Sequence, residues 1–238
     1  AYNYLGIIHK ELKIYNKAKE YFDKAISLNK NYADAYYNLG LLHKDLEDYK
    51  NAQRYYQKTI QANPNHINVY NNLGIIFSTF GKTKEAINLF KKAIEVNPKN
   101  AFAYNNIGNR YKELGEYKKS INAYNKAIKI NKNIQQVYEN LGNVFKIKKD
   151  FKKAIEYFEK SNSANSKAQL LECIYFLHGL KKYREKLRIY TEKDFLNRRI
   201  ATISAYVAAA NSLKDIYPFC KNPIEYFYKT NIAKNFVD

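Results

Sequence analysis

The chain has 238 residues, with 41 Lys and Arg against 22 Asp and Glu, and a formal charge of +19. Two cysteines, Cys173 and Cys220, make neither a disulfide framework nor a metal-binding pattern. No run of about 18 apolar residues reads as a membrane span, and no N-terminal apolar stretch reads as a signal peptide.

Met is absent, even at residue 1, which suggests a fragment of a longer chain or a processed one. The two cysteines fit reduced thiols in a cytoplasmic protein. Basic excess can mean nucleic acid or acidic partners, so its distribution matters more than its size. Residues 33–66 are neutral, whereas 101–134 hold seven basic residues against two acidic ones. Most lysines fall where a second helix would face outward, such as Lys118, Lys119 and Lys126. A solvated basic exterior is favoured over a nucleic-acid track.

Self-similarity dominates the rest. Gly6, Gly40, Gly74, Gly108 and Gly142 recur every 34 residues. Phe22, Tyr56, Phe90, Tyr124 and Phe158 keep the same spacing, as do Asn29, Asn63, Asn97, Asn131 and Asn165. A fixed period of this length signals a repeat array. In the copy starting at Ile67, Tyr70 stands at repeat position 4, Leu73-Gly74 at 7–8 and Phe77 at 11. Ala86 and Ala93 stand at 20 and 27, Phe90 at 24 and Pro98 at 32.

These residues resemble the tetratricopeptide repeat (TPR) family over residues 1–166. The resemblance implies an all-α fold, a right-handed superhelical solenoid of antiparallel helix pairs. Small residues at 8, 20 and 27 let the helices approach, and aromatics fill the space between them. One hairpin cannot bury its apolar face alone, so each copy depends on stacking.

The first copy spans 1–32, followed by 33–66, 67–100, 101–134 and 135–166. His9 and His43 replace the aromatic at position 11 and are expected to pack between helices. Pro64 and Pro98 sit where the second helix must stop, and Asn63 and Asn97 can end it. Thr59 and Ser120 replace Ala at small positions. A polar stretch, SNSANSK, marks the boundary after the fifth copy. A degenerate sixth, 167–200, has Ile174 for the glycine and Lys186 and Lys193 for small residues, so its helix crossing should be wider or shifted. Residues 201–214 read as a lone capping helix, with Ile200, Ile203, Val207 and Ala210 on one face.

The tail, 215–238, contains Pro218 and Pro223, which prevent one continuous helix. Its aromatics suggest that it folds back on the last helices. It is similar to segments joining TPR arrays to downstream 2-oxoglutarate/iron dioxygenase-like domains. That implies a second function, a substrate-targeting module of a larger enzyme whose catalytic domain lies beyond Asp238.

No catalytic constellation stands out, and neither an enzyme activity, a cofactor nor a metal is expected. His43-Lys44-Asp45 matches the start of an iron-binding triad, but it lies at helix positions with no distal His to complete it. The expected functional surface is the concave face lined by the first helices. Position 6 holds Asn38, Asn72, Asn106 and Asn140, a ladder of amides that can donate to and accept from an extended peptide. Tyr37, Leu41 and Ile75 are apolar or aromatic neighbours. Asn71, Asn105, Asn109 and Asn143 are polar ones, and Lys112 supplies charge with Lys44, Lys146 and Arg110. The two-carboxylate clamp of chaperone-binding members does not fit, because only the Asn at position 6 matches. A protein or peptide ligand in the groove is therefore the expected partner, ahead of RNA or another polyanion, with no membrane.

Overall fold

The computed structural model describes residues 1–161, 163–193 and 198–211. Every regular element among the described residues is α-helical. No helix among them is long and apolar enough to cross a membrane. The tail 215–238, the end of the expected cap at 212–214 and Cys220 lie outside the described residues.

Two compact units divide the chain, Ala1–Lys132 and a second beginning at Asn133. The first is four helix pairs: α1 (Tyr2–Glu11) with α2 (Tyr15–Leu28), α3 (Ala33–Asp45) with α4 (Tyr49–Ala62), α5 (Val69–Thr79) with α6 (Thr83–Val96), and α7 (Ala101–Glu113) with α8 (Tyr117–Ile130). Helices α2, α4 and α6 each also pack on the first helix of the next pair.

The recurring glycine has a geometric cause. A Cβ on Gly74 would lie 2.6 Å from Cε1 of Phe90, which is itself fully buried. Gly6, Gly40, Gly108 and Gly142 meet Phe22, Tyr56, Tyr124 and Phe158 in the same way. The 16-residue offset between glycine and ring is thus one contact, repeated through the chain. Three small positions carry a hydroxyl; two of them find an acceptor, and the buried Ser161 Oγ has none. Thr59 Oγ1 donates to the Tyr55 carbonyl at 3.0 Å, and Ser120 Oγ donates across the pair to the Gly108 carbonyl at 2.8 Å.

The turn within each pair is a Schellman motif. In the second pair the Asp48 N–H reaches the His43 carbonyl at 2.8 Å and the Glu47 N–H reaches Lys44 at 3.0 Å. That geometry puts one residue in the left-handed region. It is glycine in two repeats, Gly81 and Gly115, but Lys13, Glu47 and Lys149 in the others, at φ 58–60°. The second helices end differently. Asn29, Asn63, Asn97 and Asn131 are extended rather than left-handed. Oδ1 of Asn63 accepts from the Asn65 N–H at 3.0 Å, an Asx turn. Asparagine ends these helices by its side chain, not by tolerating positive φ.

The second unit holds α9 (Gln135–Ile147), α10 (Phe151–Ser161), α11 (Ala164–Lys193) and α12 (Arg198–Ala210). The polar SNSANSK stretch supplies the cap of α11. Oγ of Ser163 accepts from the Ser166 N–H at 3.0 Å and donates to Glu139 at 2.8 Å. Gly179, at φ 75° and ψ −173°, breaks α11 into two helical segments. Ile174, in the glycine's place, is buried, and Lys186 turns out to Glu159 at 3.1 Å. On α12 the buried face is Ile200, Ala201, Ser204 and Val207, with Ile203 half-buried. Cys173 is fully buried, and burial pushes its thiol up to about 12.

Candidate functional site

Within the first unit, successive first helices lie side by side, and positions 5 and 6 meet across each of its three junctions. Asn38 Nδ2 donates to Asn3 Oδ1 at 3.0 Å. Asn72 Nδ2 donates to the Tyr37 hydroxyl at 2.6 Å, and Asn106 Nδ2 to Asn71 Oδ1 at 3.0 Å. All three bonds join residues 35 apart, so each position-6 amide is tied to position 5 of the preceding repeat. The position-6 residues are therefore not free-standing amides. One N–H of each amide is engaged within the protein, while Oδ1 of Asn38, Asn72 and Asn106 has no bonding partner and is not buried away from solvent.

Burial fits this dual position. Asn38 is buried at 9% exposure, and Asn72 and Asn106 are half-buried. Asn105 is likewise buried, whereas Tyr37, Leu41, Asn71, Asn109 and Lys112 are half-buried and Ile75 is exposed. Between α5 and α7 lies a cleft of about 300 Å³. It brings together Ile75, Asn106 and Asn109 with Ser78, Thr79 and Arg110. Phe90 is its floor, and Arg110 is steadied by Glu113 at 2.6 Å. Lys112 is not among the residues lining that cleft. Asn109 has a second task, because its Oδ1 accepts from the buried Tyr124 hydroxyl at 2.7 Å.

In the second unit, Asn140 is buried and its Oδ1 lies 3.4 Å from Gln136 Nε2, while Asn143 is half-buried on the same helix. Lys146 reaches Gln169 at 2.5 Å and Glu172 at 2.6 Å.

Position 12 makes a related tie in the first unit, where Lys10 bonds Asp45 at 2.9 Å. Burial pulls the Lys10 ammonium down, but Asp45 and Glu11 outweigh it and hold the group above its ordinary value. Position 5 escaped the sequence reading as a structural row. Its signal was present: Asn3, Tyr37, Asn71, Asn105 and Glu139 all carry a side-chain oxygen.

The histidines pack against rings. His9 lies 4.9 Å from Tyr21 and His43 lies 5.2 Å from Tyr55, centroid to centroid. Nδ1 of His43 meets Asp48 at 3.0 Å, and Asp45 meets Lys10 instead. No group of three or more metal-capable side chains occurs among the described residues.

The sequence carries matches to known families and folds. Residues 31–99 match the tetratricopeptide repeat, as do 1–32, 89–122 and 135–168, and residues 108–148 match the TPR repeat. No curated protein matches it. Among solved structures, PilF of Pseudomonas aeruginosa is 16% identical, with 86% of this chain and 96% of that one covered at a TM-score of 0.72. PilW, a widely conserved type IV pilus biogenesis factor, is 14% identical, with coverages of 85% and 96% and a TM-score of 0.72. YrrB, a TPR protein with an unusual peptide-binding site, is 19% identical, with coverages of 81% and 98% and a TM-score of 0.62. At these identities the likeness is one of fold. The repeated glycine–ring contact, the helix pairs and the five family matches together make this chain a member of the tetratricopeptide repeat family.

Proposed function

We propose that the chain is a non-enzymatic scaffold that holds an extended peptide along its row of first helices, through the side-chain oxygens of the position-6 asparagines. TPR arrays are scaffolds for protein–protein interaction. The finer reading rests on one observation. The position-6 amides are oriented by their bonds to position 5, and that leaves Oδ1 of Asn38, Asn72 and Asn106 open as acceptors.

A main chain N–H is the donor such a row would take. An extended strand presents N–H groups to one side at every second residue. Pre-oriented acceptors hold it without ordering their own side chains first, which lowers the entropic cost of binding. The α5–α7 cleft offers the exposed Ile75 to one apolar side chain of the ligand, with Asn106, Asn109 and Arg110 at its rim. Buried apolar anchors of this kind carry most of the affinity in peptide recognition. YrrB, a structural neighbour with a peptide-binding site, makes peptide the first class to test.

The test is selection from a displayed random dodecapeptide library against the full chain, followed by titration of the winners. Asn72→Ala and Asn106→Ala should each weaken capture by roughly three- to tenfold, the worth of one hydrogen bond. Circular dichroism should stay helical. A library that enriches nothing, or winners indifferent to both substitutions, would overturn the reading.

A further inference from the structure

Helix α7 separates two clefts. Asn106, Asn109 and Arg110 face the one already described, while Tyr104, Ile107 and Tyr111 line a larger one of about 450 Å³ between α6 and α8. At 100° per residue these two sets lie on opposite faces of the helix. We propose that the α6–α8 cleft is a second docking site, for an acidic polypeptide segment that inserts one bulky apolar side chain between flanking carboxylates. This is independent of the peptide reading above, since it uses the other face of α7.

Its floor is apolar, made by Ile94, Ile107 and Ala123, of which the last two are buried. Three lysines, Lys91, Lys119 and Lys126, stand around it. Glu95 also lines the cleft, but it is paired with Lys92 at 2.8 Å, and Lys119 is paired with Glu116 at 2.5 Å. Lys91 has no carboxylate partner, and Lys126 contacts only a ring. The charge continues along α8. That helix carries Lys118, Lys119, Lys126 and Lys129 and no acidic residue. A further depression of about 430 Å³ runs beside Lys118, Lys126 and Lys129 and shares Lys126 and Asn122 with the first. An apolar hole in a positive surface asks for an apolar group on a negative strand.

The tyrosine rings decide between peptide and nucleic acid. Single-stranded nucleic acid binds by laying bases on exposed aromatic faces. Here the Lys126 ammonium lies 5.6 Å from the centre of the Tyr104 ring, and Lys119 lies 5.5 Å from that of Tyr111. Both aromatic rings of the cleft thus already carry a cation over a face. What remains open is aliphatic floor, which suits a Phe or Leu side chain.

A fluorescein-labelled dodecapeptide of Asp and Glu with one central Phe is titrated against the full chain by anisotropy. The same peptide with Ala for Phe, and an oligouridine of equal length, are titrated beside it. The Phe peptide should bind best, losing about fivefold with Ala in place of Phe. Lys91→Glu combined with Lys126→Glu should cost about tenfold, while Asn106→Ala on the opposite face changes nothing. Three results would overturn the proposal: no binding of the Phe peptide, equal binding of the Phe and Ala peptides or of oligouridine, or loss of binding with Asn106→Ala. Both lysines are at the surface, and an unchanged circular dichroism spectrum shows that the double variant folds.

Discussion

Repeats two and four bury the same ring in two chemical conditions. Tyr124 is fully buried and its hydroxyl donates to Asn109 at 2.7 Å. Tyr56 is equally buried, yet its hydroxyl has no partner, and Leu41 occupies the place that Asn109 holds in repeat four. Burial holds both phenols far above their usual range. The repeat therefore specifies a ring at this position, not a hydroxyl. Phe stands there in the other three repeats, so the two tyrosines are local variations that neighbours accommodate or fail to accommodate. The comparison also bears on the candidate groove, because Asn109 satisfies a buried core hydroxyl.

The largest effect should leave the two repeats alike. Gly40→Ala and Gly108→Ala each drive a methyl into the ring of Tyr56 or Tyr124. Each should cost about 2–3 kcal/mol in chemical denaturation, since overpacking of a rigid core is destabilising. A cost confined to one repeat would show that the rings are not held alike.

Removing the hydroxyl should then separate them in sign. Tyr56→Phe deletes an unpaired buried group and should stabilise by about 1 kcal/mol. Tyr124→Phe deletes a made hydrogen bond, strands Asn109, and should destabilise by about 1 kcal/mol. Leu41→Asn should help Tyr56 and not its Phe variant, a coupling that a double-mutant cycle measures.

The turns offer a smaller contrast. Glu47 sits at φ 58° in repeat two, where repeat four has Gly115 at φ 72°. Glu47→Gly should stabilise by up to about 1 kcal/mol and Gly115→Ala should destabilise by a similar amount, read from denaturation midpoints.

The smallest effect is a pH dependence confined to repeat two. His66 packs 4.4 Å from Tyr37, and burial lowers its pKa although Asp34, 3.3 Å away, pulls it up. Repeat four has Ile134 in that place. With the folded value below the unfolded one of about 6.5, the unfolded chain binds the proton more readily. Stability should be level above that value and fall as pH drops through and below it. His66→Ile should flatten that acid limb in denaturation series from pH 7 to 5, by less than about 1 kcal/mol.

The helix pairs were legible because glycine, small residues and rings recur in phase, and each of those signals corresponds to one contact. Asn63 was legible as a helix end but not in its means, since an Asx turn and a left-handed cap both favour asparagine. Lys13, Glu47 and Lys149 hid the left-handed turn, because the Schellman bonds impose positive φ on residues that do not advertise it. At the candidate groove, the position-6 column was plain in the sequence, and its tie to position 5 was not. That bond joins residues 35 apart, a spacing set by how one repeat leans on the next rather than by any helix period. Asn109 misled for a related reason: its partner is a buried hydroxyl 15 residues away.

The central claim is that tied amides leave their oxygens open to accept main-chain N–H groups. A backbone N-methyl scan of one library-selected peptide, titrated against the full chain, tests it most directly. The account predicts that N-methylation weakens binding by roughly three- to tenfold at alternate positions and leaves the intervening ones near normal. Binding that is indifferent to N-methylation throughout would contradict it.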